Sequence, residues 1–255
     1  MRQEDRLGHV LRQLSDQGSV GVAELAEQLG VSEASVRRDL HLLEQQKLLT
    51  RTHGGAVASG VLYELPMRYR GGQHHDAKRV IARAVADLVP EDVGSVGLNG
   101  GTTTTEVARA LAGRSGLRVV TNALNIASEL AVRSNIELVV CGGSARSESY
   151  ELVGPLAELT LSNVNLEVAI IGVDGITPQA GLTTHHEVEA HTNRALLRSA
   201  ERVFVVADSS KLGRRGFATI APVEAATVIV TDADADPAAV EELRKLGPDV
   251  HVVPL

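Results

Sequence analysis

Three apolar runs most constrain what this chain can become: VAIIGV at 168–173, RVFVVA at 202–207 and ATVIVT at 226–231. Each is short, rich in β-branched residues and apolar at consecutive positions, so both faces of the segment must be covered. That pattern belongs to strands of a mostly parallel sheet with helices on its two sides. Weaker runs extend the series, predicting strands at 93–98, 117–121, 136–141, 166–173, 202–207, 226–231 and 249–253. Amphipathic segments between them predict helices near 77–88, 103–112, 123–132, 155–162, 186–200 and 237–246. Residues 77–255 therefore read as one α/β domain.

The first 57 residues carry a different pattern. Leu7, Val10, Leu11 and Leu14 recur at i, i+3, i+4 and i+7, which predicts a helix over 4–17. A second helix runs from about Val22 to Leu29 and stops at Gly30, where a residue without Cβ takes the left-handed turn. A third starts behind Ser32, whose hydroxyl suits an N-cap, and turns Val36, Leu40 and Leu43 inward. The stretch KLLTRTHGGAVA then reads as two short strands joined through Gly54 and Gly55. Three helices and a hairpin make a winged helix-turn-helix over 1–57. Pro66 and the pair Gly71-Gly72 break the periodicity that follows, so 58–76 reads as a linker and 77–255 as the second domain.

Composition narrows the function. With 255 residues, 44% hydrophobic content and a formal charge of -7, the chain can bury a large core but does not suit a protein that coats nucleic acid. Any case for DNA must rest on pattern instead. One cysteine, Cys141, lies inside an apolar run, which rules out a disulfide framework and favours a reducing compartment. No signal peptide opens the sequence and no apolar run approaches the ~18 residues of a membrane span, so a cytoplasmic protein without a membrane partner is expected. His186 and His191 are spaced i, i+5 and cannot share a helix face, while His74-His75 has no accompanying ligands; no metal and no cofactor are expected.

With the inward face of the third helix taken, its outer face presents Glu33, Ser35, Arg37 and Arg38 near the start, where such helices meet base edges in the major groove. Arginine pairs bidentately with guanine, and serine bonds bases or phosphate. Ser32, Ser35, Arg37 and Arg38, with Arg51 and His53 on the hairpin against the flanking backbone, are thus the candidate contacts to double-stranded DNA. A surface ion-pair cluster of Arg37 and Arg38 with Glu33 and Asp39 is the plainer alternative.

The segment VAELAEQLGVSEASVRRDLHLLEQQKLLTRTHGGAV closely resembles the N-terminal signature of the DeoR family of bacterial transcription regulators, approximately VSxxTIRRDLxxLExxGxLxRxHGGA. Downstream, GGTTTTEVARAL, VVTNALNIASEL, LVVCGG, ELVGP, GVDGITPQAGLT and VADSSKLG resemble, in order, the blocks of that family's sensor domain. The resemblance implies a repressor of sugar or carbohydrate metabolism genes, released from its operator by a phosphorylated sugar or related metabolite, and a homodimer or homotetramer.

In the second domain, strand SVGL, turn NGGTTTT and helix EVARAL place glycines and hydroxyls at a helix N-terminus, whose free N–H groups and partial positive charge suit a phosphate. Neither the P-loop lysine nor a GxGxxG pattern is present, so ATP hydrolysis and dinucleotide binding lose support. A threonine-rich helix cap would read the same way; the family resemblance points to phosphate at Gly101, Thr102, Thr103 and Thr104. Other candidate effector contacts follow the strand ends, where ligands of open parallel sheets collect: Asn99, Thr121, Asn122, Gly142, Gly143, Arg146, Asp174, Gly175 and Lys211. Asn99 stands where many family members carry aspartate, which implies a different effector choice. The domain is also similar to ribose-5-phosphate isomerase through the threonine-rich loop, Asp174-Gly175 and DSSK. That enzyme's pattern continues Asp-Gly-Ala-Asp and then a lysine block before its catalytic glutamate, whereas this chain has DGIT and PQAGLTTHHE. Glu187 is the residue nearest to that glutamate's place and is a further candidate effector contact. An isomerase-like enzyme is the second hypothesis, and a binding pocket without turnover the first.

Overall fold

The computed structural model describes residues 3–58, 66–69 and 74–255, and the chain divides into two compact units, Met1–Gln73 and His74–Leu255. In the first, α1 (Gln3–Gln17), α2 (Val22–Leu29) and α3 (Glu33–Gln45) pack around Leu11, Leu14, Leu25, Val36, Leu40 and Leu43, all sealed from solvent. β1 (Ser19–Gly21), β2 (Leu49–Arg51) and β3 (Gly55–Ala58) form an antiparallel sheet in the order β1-β3-β2. The expected hairpin is present, and a third strand missing from the sequence reading lies on its other side. Gly55 makes that strand possible, since a Cβ there would stand 1.8 Å from the Val20 carbonyl oxygen.

Asp39 ties α1 to α3. Its carboxylate is 1% exposed and accepts from Arg6 Nε at 2.7 Å, Arg6 Nη2 at 3.1 Å and Gln3 Nε2 at 3.1 Å. Hydrogen bonding to Asp39 raises the Arg6 guanidinium above its ordinary pKa. Within the stretch expected to be a linker, Ala58 belongs to β3, and Met67–Tyr69 form a 3-10 turn whose Tyr69 ring is buried against α1 and whose hydroxyl donates to Gln46 Oε1. Gly8 permits that approach, because a Cβ would lie 2.6 Å from the Tyr69 carbonyl oxygen.

The second unit opens with α4 (His75–Leu88), β4 (Ser95–Leu98), α5 (Thr102–Leu111), β5 (Leu117–Thr121), α6 (Leu124–Leu130) and β6 (Ile136–Val140). A hairpin of β7 (Ser144–Ala145) and β8 (Leu152–Val153) precedes α7 (Pro155–Ser162) and β9 (Leu166–Gly172). Then come β10 (Gly175–Thr177), β11 (Gly181–Thr184), α8 (Glu187–Arg198), β12 (Ala200–Val206), β13 (Ala218–Ala221), β14 (Val228–Asp232), α9 (Pro237–Arg244) and β15 (Asp249–Val253). The main sheet has the order β15-β14-β12-β9-β4-β5-β6, and every pairing in it is parallel.

The predicted sandwich of two cores is present. Along β9, Val168 and Ile170 join the core under α4, α5 and α6, while Ala169 and Ile171 join the core under α7, α8 and α9. Each such valine or isoleucine side chain contributes roughly 1.5–3 kcal/mol by leaving water. Cys141 is buried at 2% exposure, which pushes its thiol up to about 11. Two features lay outside the sequence reading, the β7–β8 hairpin and a small antiparallel sheet in the order β10-β11-β13. No helix among the described residues is long and apolar enough to cross a membrane.

From β4 the chain winds outward to β5 and β6, then returns to β9 on the other side and continues to β12, β14 and β15. The order therefore reverses between β4 and β9, and the crevice outside their carboxyl ends is where ligands of such sheets bind.

Candidate functional site

In the first unit the candidate is α3. Ser32 is its N-cap, accepting from Ser35 N at 3.2 Å and meeting the Ser35 hydroxyl at 3.0 Å. Gly30 takes the left-handed conformation, φ 63 and ψ 36, that turns the chain from α2 into α3. Val36, Asp39, Leu40 and Leu43 face inward, leaving Glu33, Ala34, Arg37, Arg38, His41 and Gln45 as an exposed stripe. Arg37 Nη2 pairs with Glu33 Oε2 at 2.7 Å, both well exposed, whereas Arg38 has no ion-pair partner among the described residues. The alternative cluster of both arginines with Glu33 and Asp39 fails in part, because Asp39 is buried and engaged by Arg6. On the wing, Arg51 lies 3.9 Å from Glu44, and Thr52, His53 and Gly54 are exposed at the turn. The arrangement is a half-exposed helix with cations on its outward side, flanked by a polar turn.

In the second unit the crevice between β4 and β9 collects the candidates, with individual corrections. Asn99 is 1% exposed and directs both ends of its amide at one residue: Nδ2 donates to Gly172 O at 3.0 Å and Oδ1 accepts from Gly172 N at 2.8 Å. It stitches the ends of β4 and β9 together. Thr121 is likewise used up, donating to Leu98 O at 2.7 Å and accepting from Ala123 N at 3.0 Å. Thr104 and Thr105 donate back to the Gly101 carbonyl at 3.1 and 2.6 Å, so those two hydroxyl protons are spent within the first turn, and neither hydroxyl caps an N–H of the helix. What α5 can present is its first-turn amides, at Thr102, Thr103 and Thr104, which have no carbonyl four residues back within the helix. Gly101, at φ 143, shapes the turn that leads into them.

The hairpin closes one side of the crevice. Glu151, 2% exposed, accepts from Gly100 N at 2.6 Å, and a Cβ on Gly100 would stand 2.4 Å from Glu151 Cγ. Asn122 Nδ2 donates to Leu152 O at 3.1 Å and its backbone oxygen accepts from Leu152 N at 2.7 Å; its Oδ1 is buried without a hydrogen bond. Gly143, at φ 137, lies against Val153, where a Cβ would sit 2.8 Å from the carbonyl oxygen, and Gly142 packs beside Leu156. Gly175 admits the Arg214 carbonyl, which would lie 2.3 Å from a Cβ. These glycines shape the walls.

Charge is carried by a chain of side chains that begins at Lys211. Buried Asp208 and Asp232 hold the 3-10 turn Ser209–Lys211, accepting from Ser210 N at 3.2 Å and Ser209 N at 2.7 Å. From that turn Lys211 Nζ lies 3.8 Å from Asp174 Oδ1, with His185 Nε2 at 4.0 Å from the same oxygen. Thr184 Oγ1 lies between Asp174 Oδ2 at 3.0 Å and Glu189 Oε2 at 3.1 Å. Glu189 Oε1 in turn accepts from Arg146 Nε at 2.8 Å. Two cations thus stand at the ends and two carboxylates inside, joined by one hydroxyl. The sequence reading placed Glu187 here; Glu187 is exposed at the start of α8, and Glu189, 3% exposed, occupies the cluster instead. Glu151, Thr184 and His185 were also missed. Among the described residues no group of three His, Cys, Asp or Glu could hold a metal ion.

Residues 6–59 match the model of the DeoR-like helix-turn-helix domain, and residues 73–233 that of the DeoR C terminal sensor domain. The chain is 36% identical over 245 residues to the HTH-type transcriptional regulator GlpR of Haloferax volcanii, covering 95% of both chains. It is 33% identical over 233 residues to the glycerol-3-phosphate regulon repressor of Escherichia coli, covering 91% of this chain and 92% of the relative. Among solved structures it is similar to ribose 5-phosphate isomerase A of Methanocaldococcus jannaschii at 18% identity, over 55% of each chain, with a TM-score of 0.40. With both of the family's domains present in order and relatives aligned nearly end to end, the chain belongs to the DeoR family and is a DNA-binding transcription regulator.

Proposed function

We propose that this regulator represses genes of sugar or sugar-phosphate metabolism and leaves its operator when a phosphorylated sugar or related metabolite fills the crevice between β4 and β9. The single observation that carries the effector half is the coincidence, at one topological switch point, of the free first-turn amides of α5 with the cluster of Lys211, Asp174 and Arg146. An anionic group fits the amides and Lys211, and Asp174 accepts hydrogen bonds from sugar hydroxyls. Arg38 and Arg37 read the major groove, with Arg51 and His53 against the backbone, and two such heads on one assembly read a two-fold operator. Release follows because the effector binds the DNA-incompetent state better, and an equilibrium moves only by that differential affinity.

The test is recovery and sequencing of genomic fragments retained by the purified protein, with and without a panel of sugar phosphates. A discrete repeated site, emptied by one compound, supports the proposal; no enrichment under any condition refutes it. Arg38→Ala is expected to weaken operator binding by about 5- to 150-fold, the roughly 1–3 kcal/mol of a bidentate guanine contact, while the sensor unit stays folded. Lys211→Ala is expected to leave operator affinity intact and blunt release; a full response in that variant would remove Lys211 from the site.

A further inference from the structure

On the side of the main sheet covered by α7 and α8, a groove of about 610 Å³ opens between the two helices near the start of β9, among Glu158, Leu159, Val164, Ala195 and Arg198. It lies away from the crevice, since Val164 and Asn165 precede β9 whereas Asp174 follows it. Leu159, which lines it, and Leu156, one turn earlier on α7, stand 61% and 64% exposed. A single exposed leucine is ordinary, but a leucine pair flanking an open groove is a patch that calls for a partner. The groove does not suit a small polar ligand, because the hydroxyls along its rim are spent internally: Ser162 donates to Leu159 O at 3.0 Å and Ser199 to Leu196 O at 2.7 Å. Its charged lining is one carboxylate, Glu158, and one guanidinium, Arg198, neither in an ion pair among the described residues.

We infer that the α7–α8 face is a two-fold interface with a second copy of this chain, in which Leu156 and Leu159 of each subunit cover the groove of the other. A two-fold contact presents the same patch twice, so a surface carrying one charge of each sign is complementary to itself. Glu158 meets Arg198 of the partner subunit and Arg198 meets Glu158 of the partner subunit; the leucines supply burial, the charges the register. The inference deepens the reading of the operator by paired heads. It is measured without DNA or effector, so its failure and a failure of operator binding are scored separately.

The experiment is sedimentation velocity on the full chain over a concentration series. Wild-type protein is expected to self-associate, and Glu158→Arg and Arg198→Glu are each expected to weaken one association step by about tenfold or more, because each reversal sets like charges opposite one another twice. The double variant Glu158→Arg/Arg198→Glu restores the pairing with signs exchanged and is expected to recover the wild-type state. That recovery also separates loss of contact from loss of fold. A wild-type chain that stays monomeric, single variants that associate unchanged, or a double variant that fails to recover each overturn the assignment.

Discussion

Removing the Asp39 carboxylate tests how α3, the helix proposed to read DNA, is held. In Asp39→Asn the side chain keeps its shape but loses its charge, and its amide turns N–H groups toward a guanidinium that has none to accept. Arg6 then remains with only 15% of its side chain exposed and without its bidentate partner. Breaking a buried pair from one side typically costs 3–5 kcal/mol; the residual exposure of Arg6 lets water reach it, which places the expected loss at the low end, about 3 kcal/mol. For a unit of this size that is a fall in melting temperature of roughly 12–24 °C. Differential scanning calorimetry of the full chain checks it, with the transition of the second unit as internal reference. Operator binding should fall in parallel although Asp39 is buried inside the unit, because α3 loses its tie to α1. Replacing both partners by apolar residues, Arg6→Met with Asp39→Leu, should recover much of the stability. A first transition within about 0.5 kcal/mol of wild type in Asp39→Asn, the size of an ordinary surface change, would refute the reasoning.

Gly100→Ala should destabilise the second unit by about 2 kcal/mol, since the new Cβ overlaps the Glu151 side chain in a packed wall. Adding Glu151→Ala should relieve much of that loss in a double-mutant cycle on the calorimetric transition; strict additivity would place the clash elsewhere. Cys141, with its thiol pushed up to about 11 from an ordinary 9.0 by burial, should resist a thiol reagent at pH 8 until denaturant is added. The raised value also fixes a sign. The unfolded thiol ionises first, so stability is unaffected below about pH 9 and falls as pH climbs from about 9 toward 11; a Cys141→Ala variant should lose that component of the alkaline decline.

The five inner strands of the parallel sheet were legible because burial on two faces leaves a continuous apolar run, which depends only on local sequence, while the edge strands β6 and β15 are half-exposed and carry a weaker run. The same holds for α3, where Ser32, Gly30 and the Val36, Leu40, Leu43 stripe are local signals. Long-range pairing was not legible: β1 is three residues long, and the hairpin carrying Arg146 is held through Glu189, 43 residues away. The choice of Glu187 over Glu189 was an error of helix phase. Two residues turn a helix by about 200°, so one glutamate faces solvent and the other the cluster. Counting hydroxyls in TTTT likewise could not reveal that Thr104 and Thr105 turn back to the Gly101 carbonyl. A side chain's type can be read in sequence; the partner that consumes it cannot.

The Asn99 clamp on Gly172 bears on motion as well as architecture. The last amide of a strand normally frays and exchanges its proton with solvent readily, yet Gly172 N–H is captured by a side chain that is itself sealed and anchored on the neighbouring strand. Its exchange should keep pace with the middle of the sheet, released only when β4 and β9 separate. The crevice floor is then an unmoving surface on which a ligand loses little free energy to ordering. Whatever slows or quickens exchange on effector binding will be found in the hairpin, the α5 turn and the Lys211 turn, which close around that floor.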